Sequence, residues 1–346
     1  MSTDIFQYDY NLPDGMVALY PADPRDSSKM LYLPKSSGEP EHKIFTDLPE
    51  YLKKGDLLVF NNSRVFPARL FGNKLKTGGR VEIFLLEKLP DNTWEALVRP
   101  GKRLKPGTEI ELFDGKLLAI LGERTESGGR IVQFSIEFGL MELIWEFGEI
   151  PLPPYINRRA EEKDKERYQT IYANTVGAVA APTAGFHFTD SIFNKIKEIG
   201  VEIAWLTLHP GLGTFRPITI PNFSQHKMHA EKYSIPEETA LMVKKAKAEG
   251  RRVIAVGTTT VRALETAATS KGSIDSSDFS ISELFINPPY DFKIIDGLIT
   301  NFHLPKSTLL LLVSSLAGKD RIISAYKEAV ENKYRFYSYG DAMLIL

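Results

Sequence analysis

The sequence predicts a discontinuous α/β domain, residues 1–58 and 151–346, interrupted by an inserted antiparallel β domain, residues 59–150. Two observations predict this division. Within residues 59–150, short apolar runs alternate with turn-forming residues, and helical periodicity is almost absent. After residue 151, strand-like runs alternate with amphipathic helical runs, as they do around a mostly parallel sheet. The length of 346 residues also suits about two domains.

The inserted domain is predicted to consist of short strands. They are RLFGNKL, RVEIFLLEKL, TWEALVR, TEIELF, KLLAILGER and RIVQFSIEF. Turn-forming residues such as Thr77-Gly78-Gly79 and Asp114-Gly115 separate them. Strands spaced about 8–12 residues apart with such turns indicate an antiparallel sheet that closes into a small barrel or a sandwich. The first helical pattern is LMELIWEF, from Leu140.

The α/β part resumes after GEIPLPPYI, whose prolines interrupt any helix. Helices are predicted at DSIFNKIKEIG, PEETALMVKKAKAEG, TVRALETAAT, LLLLVSSLAG and RIISAYKEAVENK, and strands at VEIAWLTLHPG and RRVIAVG. The strand GDLLVFN in the first 58 residues is too isolated to form a domain, so it is assigned to the same sheet. This order indicates βαβ units.

Composition excludes several kinds of site. The chain has no cysteine, which excludes disulfides, thiolate zinc sites and cysteine nucleophiles. Acidic and basic residues balance at 44 and 43, so a nucleic acid would have to be bound by a local basic patch. The N-terminus does not resemble a signal peptide, and the apolar run STLLLLVSSLAG is shorter than the roughly 20 residues of a membrane helix. We therefore expect a cytoplasmic protein.

A polar motif follows the predicted strand RRVIAVG. This strand runs into Gly257 and three threonines, Thr258, Thr259 and Thr260, and then into a helix that carries Arg262. Free N–H groups and hydroxyls at a helix start could bind an anion or a polar ligand at the carboxyl end of a strand. The threonines could also do no more than cap the helix.

Three further motifs occupy similar positions. LTLHPGLGTFRP places His209 at a strand end before Gly211 and Gly213, where a backbone could approach a ligand closely, although the third glycine of a dinucleotide fingerprint is missing. AAPTAGFHFTD sets small residues before His187, which suits a flat ligand or a tight corner. ITNFHLPKSTLL places Asn301 and His303 just before a buried helix.

The stretch HKMHAEKY concentrates His226, His229 and Glu231 within six residues. It could hold a metal, although the known helical zinc pattern is His-Glu-x-x-His and two lysines lie beside the histidines. It could be an acid–base site or a solvated loop. As an acid–base site it is expected on an exposed loop that lines the site, where a turn at Lys227-Met228 would bring the three side chains together and let Glu231 orient one imidazole. Five of the six histidines lie at predicted strand-to-helix loops of the α/β part, where such sheets bind ligands, so a site with several histidines is expected there.

Basic residues are clustered, which could serve phosphate contact or form solvated faces. The clusters are Arg99, Lys102, Arg103 and Lys105 in the inserted domain, Arg158, Arg159, Lys165 and Arg167 after it, and Lys244, Lys245, Lys247, Arg251 and Arg252 later in the chain. The first cluster lies near a Pro-Gly turn, and we interpret it as a surface that helps to bind nucleic acid.

Longer strings carry a resemblance to a known family. They include YPADPRDSSKML, GDLLVFNNSRVFPARLFG, GAVAAPTAGFHFT, LTLHPGLGTFRPI, HKMHAEKY, VGTTTVRALE, DGLITNFHLPKSTLLLLVSSLAG and YRFYSYGDAMLIL. With these strings the chain resembles the S-adenosylmethionine:tRNA ribosyltransferase-isomerases of the queuosine pathway, in family order from near residue 20 to the C-terminus. The resemblance implies an α/β domain, with a distorted, barrel-like and mostly parallel sheet, and an inserted antiparallel β-barrel.

The resemblance also implies a reaction. The ribosyl part of the co-substrate S-adenosylmethionine moves to the aminomethyl group of 7-aminomethyl-7-deazaguanine at the wobble position of the tRNA anticodon. Epoxyqueuosine-tRNA forms, adenine and methionine leave, and no metal is expected. The expected partner is thus tRNA and not a membrane, and the expected state is a monomer.

This chemistry needs at least one base and one acid with pKa values near the working pH. The candidates are His209, His226, His229, Glu231, His303 and Asp26. Arg25 and Arg262 could hold the methionine carboxylate or a tRNA phosphate through a planar fork. The threonines at 258–260 and Asn301 could bind adenine or ribose hydroxyls, beside the loop glycines Gly211 and Gly213. Which histidine is base and which is acid does not follow from the sequence.

The chain departs from the family pattern at four positions. Leu19 replaces a glutamine and Lys29 an arginine, on either side of Arg25 and Asp26, while Pro210 and Phe186 replace a valine and a leucine. Two other functions compete: a methyltransferase, which would release adenosylhomocysteine in place of adenine, and an RNA-binding module, which would consume no co-substrate.

Overall fold

The computed structural model describes residues 3–101, 104–126, 128–211 and 218–346. In chain order its strands are β1 (Lys29–Leu33), β2 (Glu41–Ile44), β3 (Leu57–Asn61), β4 (Ser63–Val65), β5 (Arg69–Lys74), β6 (Arg80–Lys88), β7 (Trp94–Arg99), β8 (Glu109–Leu112), β9 (Leu117–Arg124), β10 (Arg130–Phe134), β11 (Thr175–Ala178), β12 (Glu202–Leu208), β13 (Glu231–Ile235), β14 (Val253–Val256), β15 (Ala268–Ser270), β16 (Ser273–Ile274), β17 (Ser277–Ser282), β18 (Gly297–Asn301) and β19 (Ala342–Ile345).

The helices alternate with these strands mainly after residue 140. The α-helices are α1 (Leu140–Phe147), α2 (Asp164–Arg167), α3 (Asp190–Glu198), α4 (Glu237–Ala248), α5 (Thr258–Ala267), α6 (Thr308–Ala317) and α7 (Lys319–Glu331). Short 3-10 helices are Ile5–Tyr8, Arg25–Ser27, Phe45–Tyr51, Thr183–His187 and Phe223–Gln225. Within the described ranges, none of the helices has the length and apolar character needed to cross a membrane.

The main sheet has the order β17-β13-β12-β3-β14-β18-β19-β1-β2. Its centre, β12-β3-β14-β18, is parallel, and β19 and β1 are parallel to each other. The strands at the margins pair antiparallel. The predicted α/β class is thus confirmed, and the carboxyl ends of the central strands all lie at one edge of the sheet.

The central strand β3 shows why the sheet forms from this sequence. All five of its residues are buried. Leu57 and Val59 pack into the core on one face of the sheet, while Leu58 and Phe60 pack into the core on the other. An uninterrupted apolar run is what a strand covered on both faces requires. The predicted domain boundary at residue 58 falls inside this strand, and the division into domains stays a prediction.

The inserted residues form a closed antiparallel barrel with the order β10-β7-β6-β5-β8-β9, in which β9 also pairs with β10. The barrel, and not the sandwich, is therefore the correct alternative. Its core contains alternate residues of each strand, such as Val81 and Ile83 of β6, and Leu140 and Ile144 of α1 pack against the same core. The barrel is joined to the rest by the parallel pair of β4 and β11.

Candidate active site

Two clefts lie at the carboxyl edge of the central strands. We call the first the threonine cleft; its lining includes Thr258, Thr259, Thr300, Asn301 and His303. We call the second the barrel cleft, because barrel residues such as Leu86 and Trp94 line it together with His209, Gly211, His229 and Glu231. Pro210 lines both. The structure thus gathers most of the predicted site residues at the edge where the sequence predicts a ligand site.

The threonine cleft has a wall of small residues. Ala181, Ala184 and Gly257 line it, and Gly257 takes a φ of 91° at the start of α5. Thr258 and Thr259, the first two residues of α5, line the cleft. Thr260 does not, because it is fully buried and donates its hydroxyl proton to the carbonyl of Val256 at 2.7 Å.

His303 lies in the threonine cleft, held from several sides. Its Nε2 is 3.0 Å from the hydroxyl of Thr300, and its backbone N–H donates to the hydroxyl of Tyr326 at 3.0 Å. The hydroxyl of Tyr10 donates to the His303 carbonyl. Burial lowers the pKa of the His303 imidazole to about 3, so the ring is neutral at physiological pH.

Asn301 and its surroundings complete this cleft. The side-chain amide of Asn301 donates to the carbonyl of Tyr337 at 3.0 Å, which fixes the orientation of the side chain. Tyr155, Tyr337 and Ser338 line the same cleft, and the hydroxyls of Tyr155 and Ser338 are 2.6 Å apart. Sequence reasoning missed these three residues, although the C-terminal string containing Tyr337 and Ser338 was among those that carried the family resemblance.

His209 follows β12 and lies in the barrel cleft. Its backbone N–H donates to the Lys232 carbonyl at 3.0 Å, which continues the pairing of β12 with β13. A Cβ atom at Gly177 would lie 2.8 Å from its Nε2, so the glycine lets the ring approach the backbone of β11. Burial, and to a smaller extent the Lys232 cation, lower the pKa of His209 to about 4. Its Nδ1 has no hydrogen-bond partner among the described residues.

The buried side chain of Asn61 links the segments that line the two clefts. Its buried amide nitrogen donates to the Leu208 carbonyl at 2.8 Å and to the hydroxyl of Thr259 at 3.1 Å. Its amide oxygen accepts from the N–H groups of Ser63 and Leu208, at 3.0 and 3.1 Å. This side chain therefore fixes the start of α5 relative to the end of β12, and with it Thr259 relative to His209.

The structure corrects the expected placement of Glu231. We expected an exposed loop in which this carboxylate orients a histidine, but Glu231 begins β13 and is only 4% exposed. Its Oε2 accepts from Nη1 of Arg262 at 2.5 Å, and its Oε1 accepts from the N–H of Gly211 at 3.0 Å. Arg262, 3% exposed, is thus bound to a carboxylate inside the protein and does not extend a free fork toward a ligand.

The two histidines of HKMHAEKY do not converge. His229 is exposed and lines the barrel cleft with Glu231, whereas His226 lies outside both clefts and packs edge-on against Phe285 at 5.4 Å between ring centroids. Burial, and then the neighbouring His229, lower the pKa of His226. The turn at Lys227-Met228 that would bring His226 to the site is not formed.

Arg25 and Asp26 are not brought to either cleft. Arg25 donates to the backbone carbonyls of Gln169 and Glu166, at 2.8 and 3.0 Å. Asp26 accepts a hydrogen bond from the hydroxyl of Thr189, the residue that caps α3, at 2.8 Å. Both side chains thus hold the scaffold together. Gly213, the other loop glycine of the prediction, lies outside the described residues, as do Lys102 and Arg103 of the first basic cluster.

Metal ligation is a further question for this site. In the part of the chain that the structure describes, no three or more histidine, aspartate and glutamate side chains are grouped so that they could hold a metal ion. His226 is not among the residues that line the cleft with His229 and Glu231, so HKMHAEKY does not bring its three candidate ligands together.

Comparisons with known proteins agree along the whole chain. A family model described as queuosine biosynthesis protein matches residues 5–345. An S-adenosylmethionine:tRNA ribosyltransferase-isomerase of Halothermothrix orenii is 52% identical over 98% of this chain and 99% of its own length. A protein of the same name from Clostridioides difficile is 49% identical over 100% of both chains. The crystal structure of an S-adenosylmethionine tRNA ribosyltransferase from Thermotoga maritima, 38% identical, aligns with a TM-score of 0.55 over 98% of this chain and 100% of the other.

Glu231 and Arg262 form a buried ion pair, so each side chain should be needed to balance the charge of the other. Replacing either partner, as Glu231→Gln or Arg262→Met, leaves the other charge buried and should cost about 3–5 kcal/mol of unfolding free energy. The double variant should cost clearly less than the sum of the two, because no charge is then left alone. Urea unfolding at neutral pH measures the cycle. Strictly additive costs would contradict the pairing.

The buried imidazoles of His187 and His303 should make stability depend on pH. Burial lowers their pKa values from the ordinary 6.5 to about 4 and about 3. Below about pH 6.5 the unfolded chain therefore binds protons that the folded protein does not, and stability falls as the pH falls toward these values.

Removing either histidine, as His187→Gln or His303→Gln, should flatten this dependence between pH 7 and pH 5. Each substitution should remove up to about one proton from the difference between the unfolded and folded states, and the double variant about twice that. Denaturant unfolding at several pH values provides the measurement. An unchanged slope in both single variants would show that these rings do not titrate as described.

Proposed function

Because the chain belongs to the family of queuosine biosynthesis proteins, we propose that it moves the ribosyl part of S-adenosylmethionine onto tRNA. Relatives that match the full chain are named S-adenosylmethionine:tRNA ribosyltransferase-isomerase, and the chain is accordingly a transferase of this class. The proposed acceptor is 7-aminomethyl-7-deazaguanine in the anticodon, and the proposed products are epoxyqueuosine-tRNA, adenine and methionine. The observation that best supports this proposal is the presence of two clefts that share Pro210, as a transfer between two substrates would require.

The threonine cleft is the proposed site of S-adenosylmethionine. Its cavity volume is only about 60 Å³, below the roughly 300–1,000 Å³ usual for small-molecule sites, so binding of the whole co-substrate requires the cleft to widen. Its small residues suit a flat adenine ring. Thr258, Thr259 and Asn301 offer hydroxyl and amide groups to adenine or ribose, and these groups lie where parallel sheets bind ligands.

His209 is the proposed base, with His229 as the second acid–base group. The sulfonium of the co-substrate makes the sugar C5′ protons acidic, and removal of one starts the loss of adenine. At neutral pH the buried His209 imidazole is unprotonated, so a ring nitrogen is available to accept a proton; charge developing at the reacting centre would have to raise its pKa from about 4 toward the working pH. Glu231 and Arg262 serve as positioning residues, because Glu231 holds the N–H of Gly211 just beyond His209.

A basic groove beside the barrel supports the proposal of a tRNA partner. Its lining includes Arg69 and Arg99 of the barrel and Arg158 and Arg159 after it. Arg158 is already bound by Asp164 through two hydrogen bonds of 2.6 and 2.8 Å. Arg99 and Arg159 are exposed, so they are the cations we propose for phosphate contact.

Incubation of the protein with S-adenosylmethionine and tRNA that carries the 7-aminomethyl base tests the function. We expect free adenine and methionine, and a modified nucleoside whose mass has gained the ribosyl-derived group. Release of adenosylhomocysteine would show a methyltransferase, and binding of tRNA without consumption of the co-substrate would show an RNA-binding module. Either result would overturn the proposal.

The role of His229 can be tested separately from stability because its side chain is exposed. His229→Ala should lower turnover by roughly 10²–10⁴-fold, the usual scale for an acid–base group. The unfolding free energy should change by no more than about 1 kcal/mol, as expected for an exposed residue. Lys227→Ala, in the same segment, is the matched control for adenine release. Turnover of both variants within a factor of two of the wild type would remove His229 from the mechanism.

A further inference from the structure

Phe279 occupies an unusual position in the edge strand β17. It is 45% exposed, and its φ of 49° lies in the left-handed region, which a bulky residue rarely adopts. The pairing of β13 with β17 shifts register between Tyr233 and Ile235, opposite the segment that contains Phe279. Such bulges re-aim side chains and are frequent beside active sites. Strain and an exposed aromatic ring both cost free energy, so packing of the core does not explain this residue.

The ring of Phe279 is held next to His209. The two rings are nearly parallel, at 15°, with centroids 5.7 Å apart. His209 in turn lies against Gly177 of β11, where a Cβ atom would clash with the imidazole. The imidazole of His209 therefore packs between the backbone of β11 and the phenyl ring, and this packing sets the plane of the phenyl ring.

The surroundings of Phe279 are apolar, yet open. Val176 and Ile281 line the same barrel cleft and are 43% and 51% exposed, and Leu86 and Leu97 of the barrel face it as well. Exposed apolar side chains gathered in a concave site indicate a ligand. The polar groups of His209 and His229 beside them suit a ligand with a flat apolar face and a polar edge, which is the chemistry of a nucleobase.

We propose that the barrel cleft binds the acceptor base of tRNA, extruded from its stack, with Phe279 as the ring on which the base stacks. The inference rests on the proposed function, since it assigns the acceptor to a cleft of the same site. An enzyme that modifies a base must expose the reacting atom, and it commonly holds the extruded base between side chains. The base would then stack on the face of Phe279 that His209 does not cover, in the cleft that shares Pro210 with the threonine cleft.

An RNA stem-loop with 2-aminopurine at the acceptor position is the probe for this site. Its fluorescence reports whether the base is extruded and stacked. Phe279→Leu keeps the apolar volume but removes the ring, and it should weaken binding roughly 5- to 100-fold, the scale of one base–aromatic stack. The fluorescence change should be lost with it, whereas Phe279→Tyr should retain both.

Phe138, which is 95% exposed and lies outside the barrel cleft, gives the matched control Phe138→Leu. Stabilisation of each variant by S-adenosylmethionine alone, measured by thermal unfolding, shows that the fold and the threonine cleft are intact. If the wild type releases adenine and Phe279→Leu binds the probe as tightly as the wild type, the stacking site is wrong and the function stands. If the wild type neither binds the stem-loop nor releases adenine, both are wrong.

Discussion

The buried amide of Asn61 is the constraint on which the geometry of the site depends. A polar group without solvent must have its hydrogen bonds made inside the protein, and this amide makes four, to Ser63, to both backbone groups of Leu208 and to Thr259. These partners belong to three different segments that are distant in sequence. The hydrogen bonds of this one side chain therefore fix the positions of the end of β12, the start of α5 and the beginning of β4 relative to one another. The strand β4 leads into the barrel.

The barrel is placed by the same part of the chain. The segments that leave the main sheet for the barrel and return from it pair with each other as β4 and β11, so the barrel is held through two adjacent backbones. Across the barrel cleft, Lys232 of β13 also forms an ion pair with Glu87 of β6. Because β11 contributes Gly177 beside His209, the connection to the barrel is at the same time a wall of the site. The site is thus shared between the sheet and the barrel.

Sequence patterns predicted the parts of this architecture that depend on local order. The apolar run of β3, the helix that begins with the threonines, and His209 and His303 after β12 and β18 all have local signals, and each lies at its predicted place in the fold. Pairings between distant segments have no such local signal: Arg262 is 31 residues from Glu231, and closure of the barrel depends on β10 pairing with β7 and on β5 pairing with β8. The pattern of HKMHAEKY does not predict the short strand β13, because the strand begins with two charged residues, Glu231 and Lys232. Phe279 gave no signal, since only the register shift makes it unusual.

The position of Pro210 has a thermodynamic consequence. This residue lines both clefts, and proline has a fixed φ, so rotation about its N–Cα bond is not available to absorb a displacement between them. If one substrate changes the affinity of the protein for the other by some factor, the second changes the affinity for the first by the same factor, because binding free energies around a cycle sum to zero. If each cleft binds one substrate as proposed, an exchange at this one position, where the family pattern has a valine, is expected to alter the cooperativity between the two substrates without changing a group proposed to contact the reacting atoms.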